Sequence, residues 1–145
     1  MTATLTQARD EILTQFRNTW LADSTTASIP VLYEDVADEP PTAPNPYARV
    51  AVVHNVTQPG QVTLSNGVGQ RRFRRTGFVF AQLFSPLGGG LVLSDTMATV
   101  ARRAFEGVAT PRDVLFRAVS VNEVGRSGGW RQVNVAAEFE YDEIV

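Results

Sequence analysis

The chain has 145 residues, 43% of them apolar, and a formal net charge of −2, values that fit one soluble domain with room for a hydrophobic core and exclude a disordered chain. Cysteine and lysine are both absent, so disulfides, thiolate chemistry, cysteine-based zinc sites, Schiff-base lysines and a phosphate-loop lysine are excluded. No apolar run approaches the roughly 20 residues that cross a bilayer, and Arg9, Asp10 and Glu11 break any leader-like start,, so the expectation is a protein with no membrane partner, cytoplasmic when made.

In chain order, Thr4-Leu5-Thr6-Gln7 has the form of a capping box,. Leu5, Ala8, Ile12, Phe16 and Trp20 then recur every three or four residues, predicting an amphipathic helix over about 4–22,. Ile29 to Glu34 reads as a short strand. Pro40, Pro41, Pro44 and Pro46 remove donors and fix φ, making a stiff connector within one domain,. Tyr47 to Val56 reads as a second strand, ended by Pro59-Gly60.

Val62 to Ser65 followed by Asn66-Gly67 predicts a β-hairpin, because Asn-Gly takes the φ > 0 turn readily,. Its returning leg runs into Arg71, Arg72, Arg74 and Arg75, giving a projecting basic arm over 57–75. Phe78 to Phe84 is apolar on both faces and predicts a buried central strand,. Pro86 and Gly88-Gly89-Gly90 turn the chain into a second helix, to about Phe105. Val92 or Leu93, Met97, Val100, Ala101, Ala104 and Phe105 face inward, and Gly107 is its C-cap,. Asp113 to Val124 alternates as a strand. After Ser127-Gly128-Gly129, Trp130 to Tyr141 alternates cleanly, with Val133, Val135, Ala137, Phe139 and Tyr141 on one face,. The fold class is therefore α+β: a mostly antiparallel twisted sheet, two helices packed on one face, and a projecting β-hairpin arm, all in a single domain over 1–145.

Residues that carry chemistry are few. His54 is the only histidine and sits on a strand, with no nucleophile or orienting acid that the sequence can place beside it,. Asp35, Asp38 and Glu39 lack the spacing and glycine of a calcium loop,. The Pro86 to Gly90 corner has neither phosphate-binding glycine pattern, and Asn55-Val56-Thr57 is a sequon without a secretory context,. The expectation is no catalysis, no cofactor and no metal.

Charge is more informative. Glu34, Asp35, Asp38 and Glu39 form one acidic stretch, and Glu138, Glu140, Asp142 and Glu143 another, against the arginines at 71–75. Opposite patches suit stacking on copies of the same chain or on a partner; solvated loop ends explain them equally. The arginines suit a polyanion, a subunit contact, or an edge that blocks stray sheet pairing.

Several stretches together resemble the phage tail terminators of the long-tailed, lambda-like kind, a small family long catalogued as a domain of unknown function. They are the helix through Phe16 and Trp20, Glu39-Pro40-Pro41 with Tyr47-Ala48-Arg49-Val50, the basic stretch Gly69 to Gly77 and the Pro86 to Gly90 corner. Ala104-Phe105-Glu106-Gly107 and the closing Gly128 to Val135 strand through Phe139-Glu140-Tyr141-Asp142 complete the match, which spans nearly the whole chain.

The resemblance implies a non-enzymatic structural virion protein that forms a ring, typically a hexamer. The ring caps the tail tube at the head-proximal end, ends tail polymerisation and meets the head–neck connector proteins. DNA passes only through the lumen, and assembly takes place in the host cytoplasm. Arg71, Arg72, Arg74 and Arg75 are then expected at a subunit interface or lining the lumen, and Glu34, Asp35, Asp38 and Glu39 at the tube or neck contact. The rival readings are another ring-forming neck, head-completion or tail-tube-like protein, a small enzyme or ligand module using His54, and a free-standing DNA-binding protein.

Overall fold

The computed structural model describes residues 2–34, 39–42, 45–54, 62–63 and 70–144. Two helices and six strands follow in the order α1 (Leu5–Ala22), β1 (Val31–Tyr33), β2 (Tyr47–His54), β3 (Val62–Thr63), β4 (Arg72–Pro86), α2 (Val92–Arg103), β5 (Leu115–Ser127) and β6 (Trp130–Ile144). The sheet order is β1-β2-β4-β6-β5, with β3 paired to β4. Among the described strands only β1 and β2 run parallel; the other pairs are antiparallel.

The first helix starts where its capping box lies. Thr4 Oγ1 accepts from the Gln7 N–H at 3.2 Å, and Gln7 Oε1 accepts from the Thr4 N–H at 3.0 Å. Those two bonds satisfy donors that a bare helix start leaves orphaned. Ala8, Ile12, Phe16 and Trp20 form the buried stripe, while Leu5, at the start of that stripe, is exposed. Trp20 Nε1 donates to the Ile29 carbonyl at 3.0 Å and its own carbonyl accepts from Thr26 Oγ1 at 2.6 Å, tying the helix end to the start of β1. In α2 the inward residue is Leu93, and Val92 faces outward.

The core lies between the helices and one face of the sheet. Val50 and Val52 of β2, Val79, Ala81 and Leu83 of β4, and Val133, Val135, Ala137 and Phe139 of β6 join Phe16, Trp20, Met97 and Phe105 in one cluster. Ring stacking extends it: Phe16 lies 5.3 Å from Trp20 and 6.0 Å from Phe105. Burial of side chains this large supplies most of the folding free energy, at about 1.5–3 kcal/mol each.

Among the described residues no helix lies over the opposite face. There the expectation that Phe78 to Phe84 is buried on both sides fails: Phe78 and Phe80 are each 38% exposed. Both helices lie on the other side, so alternate residues of β4 look outward. Only the far end of this face closes on itself, where Tyr47, Phe84 and Leu32 pack with Trp130. Trp130 Nε1 also donates to the Asn45 carbonyl at 3.2 Å.

The arginine leg of the expected arm belongs to the sheet. Arg72 and Phe73 pair with Thr63 and Val62 on one side, and Arg72 to Arg75 pair with Tyr141 to Ile144 on the other. The Asn66-Gly67 turn lies outside the described residues. Strand β6 accordingly runs on past Tyr141 to Ile144.

Candidate assembly surfaces

The register of β4 on β6 decides what the arginines touch. Antiparallel pairing puts Arg74 across from Asp142 and Thr76 across from Glu140, so on the helix-free face Arg74 reaches Asp142 at 3.2 Å and Glu140 at 3.7 Å. Arg72 reaches Asp142 at 3.8 Å. From β5, Arg117 adds contacts to Glu138 at 3.1 Å and to Glu140 at 3.6 Å. On the helix side Arg75 meets Glu143 at 3.0 Å, and its guanidinium lies 5.2 Å from the Phe73 ring centre. The basic cluster and the C-terminal acidic run are thus neighbours within one subunit. The arginines of these pairs are half-exposed or exposed, so each pair contributes about 0–1 kcal/mol,, while setting compensating charge beside the cluster. Arg71 is exposed and pairs with no described residue.

The other predicted residues lie elsewhere. Glu34 follows β1 and Glu39 lies in the proline-rich connector, both exposed. Asp35 and Asp38 lie outside the described residues.

His54 ends β2 beside the arginine end of the sheet. It is held by Arg9, whose guanidinium reaches His54 Nδ1 at 3.5 Å and the Val52 carbonyl at 3.4 Å, and by Tyr141, whose hydroxyl is 2.9 Å from Nε2. A neutral ring with its proton on Nε2 satisfies both contacts: Nε2–H donates to Tyr141 and Nδ1 accepts from Arg9. Burial, then the Arg9 charge, pushes the His54 pKa below its usual value, with Arg75 acting the same way and Glu143 opposing. Burial, assisted by Glu143, pushes the Tyr141 hydroxyl up to about 12. A proton-bearing phenol and a histidine held neutral, with no described carboxylate bonded to the ring, make a clamp between α1, β2 and β6.

Gly77, opposite His54 in the ladder, completes this clamp. A Cβ there would collide with the Val53 carbonyl oxygen and the Phe139 ring. Phe139 therefore lies across the strand where a side chain would stand, and His54 meets it edge-on at 5.3 Å.

Two apolar patches were missed by sequence reasoning. One is on the helix-free face: Val53, 47% exposed, pairs directly with Phe78, and the Phe78 and Phe80 rings stack at 6.0 Å. The other is the corner into α2, where Leu87, Leu91 and Val92 are exposed, Val92 by 78%. The glycine-rich corner could have given the second away, since an apolar Leu-Val follows it without a polar cap. Beside it, a cleft of about 180 Å³ is lined by Leu87, Leu91, Arg126 and Arg131 among others. Among the described residues no group of histidine and acidic side chains could hold a metal ion, and no helix is long and apolar enough to cross a membrane.

A family model described as phage tail terminator protein matches residues 9–134. No curated protein matches. Among solved structures, one shares the fold at TM-score 0.62, with 16% identity and 92% of each chain covered. A second, from the virion of a native gene transfer agent particle, aligns at TM-score 0.48 and 12% identity, covering 92% of this chain and 93% of that one.

Proposed function

The chain belongs to the phage tail terminator family, a structural component of the phage tail, and from that premise we propose that it assembles as a ring, a hexamer, on the head-proximal end of the tail tube. The ring caps the tube when the tail reaches its length and presents its other side to the head–neck connector proteins. DNA passes through the lumen without being held there, and assembly proceeds in the host cytoplasm. The family match over residues 9–134 carries this reading.

In this reading Arg71, Arg72, Arg74 and Arg75 stand at a subunit interface or line the lumen. The carboxylates that meet Arg72, Arg74 and Arg75 within the subunit support a structural use over a grip on DNA, which needs unspent cations. Glu34, Asp35, Asp38 and Glu39 are the candidates for the tube or neck contact.

Light scattering over a concentration series, with electron microscopy of the largest species, tests the ring. Closed rings, alone or on added tail tubes, are expected. A protein that stays monomeric at every concentration and binds no tube would remove the reading. A second reading, another ring-forming neck or tail-tube-like component, keeps the same subunit logic and differs in tail length.

A further inference from the structure

We propose that each subunit seats its Leu87–Leu91–Val92 corner on the Val53–Phe78–Phe80 strip of the next copy. The inference rests on the ring reading above and names the two surfaces that mate.

The patches lie on opposite sides of one sheet. The strip belongs to the helix-free face, and the corner begins α2 on the helix side. Mating them is head-to-tail, which closes into a ring when the rotation between copies allows it. Packing strip against strip would instead leave Leu91 and Val92 in water. Both patches are contiguous apolar surface of the kind that marks protein contact sites.

Charge points to the same partner. Arg49 stands on the helix-free face in the register row next to Ala51 and Phe80. It pairs with no described residue. Glu138, directly across from Phe78, stands at the other rim, where Arg117 of the same subunit already meets it at 3.1 Å. On the corner side Asp95 lies one helical turn beyond Val92, without a described side-chain partner, and Arg126 lines the cleft with Leu87 and Leu91. Arg49 beside the strip and Asp95 beside the corner are thus opposite charges that head-to-tail mating can set together.

The alternatives are weaker. A polyanion would meet exposed phenyl rings on a face whose Arg74 and Arg117 already meet Asp142, Glu140 and Glu138. Sheet extension along β5 is opposed by register shifts at Arg117/Ser120 and Glu123/Gly125 and by Ala118 at φ 51°, irregularities of the kind that blunt an edge.

The test is a charge swap in the full chain, read by light scattering at low ionic strength with and without tail tubes. Arg49→Glu and Asp95→Arg should each weaken ring formation by about tenfold or more, and the double variant should recover most of the loss. Phe78→Ser with Phe80→Ser should give a folded monomer by circular dichroism. Should that variant unfold, the swap at the two exposed charges still decides. Wild-type rings unaffected by the single reversals, or not recovered in the double variant, would overturn this pairing and leave the ring reading standing. A wild type that forms no ring under either condition would overturn both.

Discussion

Gly77→Ala removes the space on which three strands and the Phe139 ring depend. The added Cβ meets the Val53 carbonyl, which is backbone in the neighbouring strand, and the Phe139 ring, which is fully buried. Neither can yield by turning a flexible tip. Moving the ring also disturbs its edge contact with His54 at 5.3 Å and its stacking on Tyr141 at 6.2 Å. Overpacking of this kind costs about 1–3 kcal/mol, at the upper end where backbone is met, and the gain from a stiffer unfolded chain returns only about 0.4–1 kcal/mol. The net expectation is a loss of about 2 kcal/mol, or roughly 4–8 °C in melting temperature for a domain of this size. Chemical denaturation beside Gly89→Ala provides the control. Gly89 has open space around its Cβ position and no positive φ, so its variant should match wild type or gain up to about 1 kcal/mol. A Gly77→Ala protein equally close to wild type would refute the claim that the ring and strand are locked there.

Trp20→Phe should cost about 2–4 kcal/mol by leaving a void and an unpaired Ile29 carbonyl,; thermal unfolding measures it, and a loss under 1 kcal/mol would contradict the packing described. Arg74→Ala should change stability by less than about 1 kcal/mol, and less still in high salt, because its pairs with Asp142 and Glu140 are exposed,; a loss of several kcal/mol would mean the network is more than surface pairing. For His54 the folded pKa is lowered, so the unfolded chain takes up the proton first. Its contribution is present above the unfolded value near about 6.5 and declines as pH falls through it, levelling off once the folded ring also protonates. His54→Gln should flatten the stability profile between pH 7 and 5. A His54 ring that titrates by NMR at or above the ordinary value would reverse that sign.

Both helices were legible because their signals are local: the Thr4–Gln7 box with the Ala8–Ile12–Phe16–Trp20 stripe, and Met97, Val100 and Ala101 after a glycine corner. The alternation of Val133 to Tyr141 fixed the inward face of β6 for the same reason. Sequence failed where two strands distant in the chain had to be set side by side. Nothing local says that Arg74 comes to lie across from Asp142, so charges read as separate patches became cis pairs. Nor does a run such as Phe78 to Phe84 reveal that only one face has helices to cover it. The parallel pairing of β1 with β2 is a long-range choice of the same sort. His54 gave no hint of its clamp, because Arg9 and Tyr141 come from opposite ends of the chain.

Tail length in particles assembled without this protein tests the central claim most directly. Electron micrographs should show tails that grow well past the normal length and carry no head, because nothing stops tube polymerisation. Tails of normal length that merely fail to attach would contradict a terminator and assign the chain to the neck.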